Sequence, residues 1–116
     1  MRIGNGAVIA TGYLASVSGI AGAGVANNLA TVGFPFTHTA GVIATAIFHH
    51  TFTLTLLDPA TFKWLCVGLG NRSDISANFI ISGSLALTSV LDRARITTAA
   101  GTDTFDAGSV NISWEF

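Results

Sequence analysis

The chain has 116 residues, of which 50% are apolar and only 9% charged, with five basic and six acidic residues and a formal net charge of -1. An ordinary soluble domain is roughly 25% charged. With no basic cluster, the chain lacks the footprint needed to neutralise phosphates, which excludes nucleic acid as a partner. Its single cysteine, Cys66, excludes an internal disulfide.

A domain of this size buries about two thirds of the surface its unfolded chain exposes. So apolar a chain leaves a greasy patch on a monomer, and a net charge near zero favours association. The composition is that of a subunit.

Between Arg2 and Asp58 there is no Lys, Arg, Asp or Glu. The N-terminal run ending Gly24-Val25-Ala26 loosely imitates a signal peptide, but it lacks a compact leucine-rich centre and is expected to belong to the mature fold. Residues 14 to 33 are dense in Gly, Ala, Ser and Asn. Glycine at that frequency opposes a helix, and the stretch reads as a long connecting loop or an irregular edge. Pro35 then pushes its predecessor to extended geometry.

The window from Ala40 to Leu57 is close to the minimum membrane-spanning length of roughly 18 residues. It alternates, however: Phe48, His50, Phe52, Leu54 and Leu56 on one face, His49, Thr51, Thr53 and Thr55 on the other. That period of two predicts a strand with one buried face, not a membrane insertion. Leu57-Asp58-Pro59-Ala60-Thr61 has the chemistry of a type I turn, leading into a strand from Phe62 to about Leu69. Gly68, Gly70 and Asn71 read as the stop of that strand. Further strands are expected around Ser82 to Thr88, over Arg93 to Thr98, and from Ser109 to Phe116. The last alternates without a fault, Val110, Ile112, Trp114 and Phe116 against Asn111, Ser113 and Glu115. No stretch keeps a helical period between caps. The reading is a single all-β domain over 1–116, an antiparallel β-sandwich or jelly roll.

Chemistry finds little purchase. His49 and His50 point to opposite faces and His38 is distant, so a structural role is expected; a shared metal would need one histidine from each chain of a trimer. Asp103 and Asp106 bracket a glycine-containing turn and are expected to stabilise it through backbone N–H groups, since a calcium ion wants more oxygens than they supply. Cys66 lies in an apolar strand, where a thiol is inert packing. There is no nucleophile elbow, no phosphate loop and one glutamate. No catalytic residue, metal or cofactor is expected. The aromatic residues are assigned to core or interface, with Val110, Ile112, Trp114 and Phe116 as the candidate subunit interface.

Leu91-Asp92-Arg93-Ala94-Arg95-Ile96-Thr97-Thr98 and the run from Gly101 to Ile112 resemble the C-terminal segment of small β-rich modules in tailed-phage virion proteins. Thr11-Gly12-Tyr13 and Thr55-Leu56-Leu57-Asp58-Pro59-Ala60-Thr61 with Trp64 are similar to the same group. The resemblance implies a non-enzymatic, externally displayed, trimeric module on the virion surface. Its partners would be itself and phage capsid or tail proteins. Similar modules carry a further strand before the segment matching Ile3-Gly4-Asn5-Gly6; here it is absent, shortened away or supplied by a neighbour. No stalk or attachment segment is present, which favours a capsid decoration (cement) protein. The alternative is a tail-fibre tip whose loop Asn71-Arg72-Ser73-Asp74 contacts a host glycan. A third reading, a secreted carbohydrate-binding module, rests on the short sequons at Asn71 and Asn111.

Overall fold

In the computed structural model, which describes residues 1–38, 42–102 and 105–115, the chain is all-β. Its strands are β1 (Arg2–Asn5), β2 (Ala7–Val8), β3 (Leu14–Ala21), β4 (Gly24–Ala30), β5 (Phe48–Asp58), β6 (Lys63–Arg72), β7 (Ala77–Ala86) and β8 (Arg93–Arg95). They form a five-stranded antiparallel sheet in the order β4-β3-β7-β6-β5 and a three-stranded sheet in the order β2-β1-β8. The small sheet packs over one end of the large one, as in a sandwich. Among the described residues no helix is long and apolar enough to cross a membrane.

The alternation of β5 is as expected, and the turn after it is held by Asp58. The Asp58 carboxylate accepts from the Ala60 N–H at 2.9 Å and from the Thr61 hydroxyl at 2.6 Å. Phe62 closes the turn in the left-handed region, at φ 48°.

Five expectations need correction. Residues 14–33 are not a loop: β3 and β4 form a hairpin whose two-residue turn places Gly22 at φ +61°. β6 does not stop near Leu69 but runs to Arg72, because the missing side chains make room for rings. A Cβ at Gly68 would lie 2.8 Å from the Phe52 ring, and one at Gly70 only 2.0 Å from His50 Nδ1. The strand expected at 82–88 is β7, five residues earlier at its start, and β8 is shorter than its sequence pattern. Most telling, no strand forms between Ser109 and Glu115, since none of the described residues pairs with that segment.

The inner face of the large sheet is covered in two parts. Ile3, Tyr13, Ala15, Phe34, Cys66, Leu85 and Leu87 form one buried cluster beneath the small sheet. Val17, Ala77, Phe79 and Ile81 form the other, and Phe52 packs against both. Tyr13 ties the first cluster together. Its ring meets Phe34 edge-on at 4.9 Å, and its hydroxyl accepts from the Ile3 N–H at 2.8 Å. The same hydroxyl donates toward the carbonyls of Ile3 and Ile9, at 3.2 and 3.1 Å. Tyr13→Phe should therefore strand a buried N–H and lower stability by about 1–2 kcal/mol. Urea unfolding checks this; an unchanged midpoint would mean the hydroxyl is energetically idle.

Candidate functional site

Sheet residues alternate between faces, so pairing registers show what the outer face of the large sheet presents. Leu29, Ser16, Ser82, Val67 and Thr53 form one row across β4-β3-β7-β6-β5. Asn27, Ser18, Ile80, Leu69 and Thr51 form the next, and Val25, Ile20, Asn78, Asn71 and His49 the third. Leu14, Ser84, Leu65 and Thr55 form a fourth on four strands, beyond which Lys63, paired with Asp58 and Ala86, ends the face. The four rows inside that end hold no Lys, Arg, Asp or Glu. Leu69 is 62% exposed and Ile80 59%, and they face each other across β6 and β7.

An antiparallel sheet with one solvated face carries polar residues there. Here those four rows mix hydroxyls with bare aliphatics and lack the charges that keep such surfaces apart. The single chain exposes 7553 Å², whereas a compact monomer of 11.9 kDa exposes roughly 5,900 Å². The difference is of the order that one subunit of a permanent complex buries.

The inner face carries the other notable group, a cluster of rings around His50. Phe36 meets His50 edge-on at 4.8 Å, while Phe52 and Phe79 stack on it at 5.6 and 5.7 Å. His38, also buried, tilts against Phe79 at 5.4 Å. Neither nitrogen of either ring has a hydrogen-bond partner. Burial holds the His50 pKa down at about 4, so the ring is neutral and sits among phenylalanines as an aromatic. Among the described residues no three His, Cys, Asp or Glu side chains are grouped to hold a metal. Burial likewise pushes the Cys66 thiol up to about 12, leaving it without thiolate character.

The loop candidates are placed separately. Arg72 donates to Asp74 through both Nε, at 3.0 Å, and a terminal nitrogen, and its guanidinium lies 5.6 Å from the Phe48 ring. The pair holds Asp74 well below the usual carboxylate range, at about 2, with the Asp74 carboxylate also accepting from the Ile47 N–H at 3.3 Å. Ser73 bonds His49 Nε2 at 3.1 Å. The loop is thus internally braced, its one cation spent on its own aspartate; Asn71 lies on the outer face. Asp106 is exposed in a bend, and Asp103 lies outside the described residues. In the candidate interface segment, Val110, Ile112 and Trp114 are 65%, 68% and 74% exposed, and Phe116 lies outside the described residues.

The chain matches no family model, no curated protein and no solved structure. Its functional reading therefore stands on its own surfaces. The outer face was overlooked in the sequence, although the continuous apolar runs Trp64–Val67 and Phe79–Ile81 carry its signal. A strand apolar at consecutive positions has something to bury on both sides.

Proposed function

We propose that this chain is a non-enzymatic structural protein of a phage virion, a capsid decoration protein that stabilises the shell. The observation that carries the reading is the outer face of the five-stranded sheet, uncharged over four rows and bearing a charge only at the Lys63 end, with Leu14, Ile20, Val67, Leu69 and Ile80 exposed on it. The resemblance to phage virion modules supplies the setting. The mechanism is buried area repeated by symmetry: the outer face lies against shell subunits, and copies associate with one another as trimers. No residue performs a reaction.

Re-adding the protein to undecorated heads should raise their thermal or mechanical stability. Leu69→Lys or Ile80→Lys, each a change at an exposed site, should leave folding stability within about 0.5 kcal/mol. Either should weaken head binding at least about tenfold, since a lysine would be buried unpaired in the contact. Cryo-EM of intact particles locates the copies. Copies arrayed over the capsid support decoration. Copies confined to the tail end replace it with receptor binding, and the 71–74 loop becomes the surface to mutate.

A further inference from the structure

The segment that follows the small sheet is a strand without a partner. From Ser109 to Glu115 it alternates apolar and polar residues, it is exposed throughout, and among the described residues it pairs with none. At the same time β5 ends the five-stranded sheet and pairs, among the described residues, with β6 alone. We propose that the 109–115 segment of one copy adds as a sixth strand to the free edge of β5 in a second copy.

Four observations select this edge and this occupant. First, β5 has none of the usual protections of an edge over Phe48 to Leu56: no proline, no charge, and its irregularity comes only between Leu56 and Asp58. Second, the phases agree. β5 turns Phe48, Phe52 and Leu54 inward, all only half-buried, and Thr51, Thr53 and Thr55 outward. A strand beside it that turned Val110, Ile112 and Trp114 inward would close the open side of that aromatic layer, and would set Asn111 and Ser113 among the threonines. The opposite edge offers no such match, because β4 turns Ala26 and Asn28 inward and the apolar Val25 and Leu29 outward.

Third, the lengths agree: seven residues of tail against the nine from Phe48 to Leu56. Fourth, the surface in excess of a compact monomer, about 1,600 Å² by the scaling of area with mass, is enough for a standard interface of roughly 800 Å² on each partner. Backbone hydrogen bonds along the edge would supply affinity, and the alternating side chains the register, as in other strand additions.

The inference deepens the assembly reading and can fail separately from it. The test compares the full chain with a chain lacking residues 109–116, by light scattering and by hydrogen exchange of the β5 amides. The full chain should be oligomeric with its β5 edge protected. The shortened chain should be monomeric, with β5 exchange faster by about tenfold or more and its β-sheet circular dichroism retained. In the full chain, Ile112→Pro and Ser113→Pro guard against unspecific effects of truncation. They are adjacent, so one of the two amides faces the edge in either register, and one of them should dissociate the oligomer.

A synthetic peptide of residues 105–116 should restore β5 protection to the shortened chain. An oligomer that persists without residues 109–116 overturns the proposal, while binding of undecorated heads that Leu69→Lys still weakens would leave the decoration reading standing. A monomeric full chain with a protected β5 edge also overturns it, since the occupant would then be its own tail.

Discussion

Replacing Gly70 by alanine should lower stability by about 2–3 kcal/mol, a fall of roughly 10 °C in melting temperature for a domain of this size. Alanine at a strand position is ordinarily harmless, and Gly70 has no left-handed backbone that would demand glycine. The cost comes from across the sheet. The His50 ring occupies the space above Gly70, so that an added Cβ would sit 2.0 Å from Nδ1 and 2.2 Å from Cε1.

The ring cannot step aside, because Phe52 and Phe79 stack on it and Phe36 meets it edge-on. The same arrangement recurs one row along the sheet, where Phe52 covers Gly68. A double-mutant cycle with His50→Ala separates this cause from any effect on strand propensity. In the His50→Ala background, Gly70→Ala should cost less than about 0.5 kcal/mol. An undiminished cost there would place the penalty in the β6 backbone instead.

Acid should weaken the fold through the buried Met1 amino group, whose pKa is lowered to about 5, and through His50. Desolvation by burial holds the His50 pKa at about 4, against 6.5 for a free histidine, and the N-terminal amino group and His49 push the same way. Between these values the unfolded chain binds a proton that the folded chain refuses, so stability rises with pH. The full His50 contribution is present above pH 6.5 and is lost progressively as the pH falls to 4. The loss is on the order of 2 kcal/mol, allowing for partial solvent screening of the ring.

The carboxylates act elsewhere. Asp74 and Asp92 have pKa values lowered to about 2 by their arginine partners, so their contributions fade only below the ordinary carboxylate range. Urea titrations between pH 7 and 4 should therefore show a slope that His50→Phe reduces without abolishing, the remainder belonging to the Met1 amino group, whose pKa burial lowers from 8.0 to about 5. Phenylalanine is a fair replacement because Phe52 over Gly68 already makes the same contact. A variant that kept the whole slope would assign it to another group.

The parts of the fold that were legible in the sequence share one property: their inward residues are large. Phe48, His50, Phe52 and Leu54 announce β5, and Asp58-Pro59 announces its turn. β3 and β4 were misread because their inward residues are Ala15, Val17, Gly19 and Ala21 beside Ala26, Asn28 and Ala30. Small side chains show little alternation of hydropathy, and the space above them belongs to bulky neighbours such as Phe79 and Ile81.

Glycines at 68 and 70 looked like punctuation for a related reason. The atoms that justify them belong to β5, and a one-dimensional reading cannot see across a pairing register. The 109–115 segment shows the reverse error. Alternation reports that a strand has a face to bury, but not which chain buries it.

The pairing of Arg2 with Arg95 has a consequence for how the molecule comes into being. Hairpins such as β5–β6 join neighbouring stretches of chain, whereas β1 must wait for a strand separated from it by most of the sequence. Contacts so distant in the chain close slowly and at high entropic cost. During synthesis, then, the large sheet can assemble from its hairpins while Ile3 still lacks its cover and β1 has only β2 beside it. The nascent chain would show both faces of that sheet at once, the outer one bare by design and the inner one bare by timing. That interval, not the finished fold, is when a chain this apolar is most exposed to misassociation.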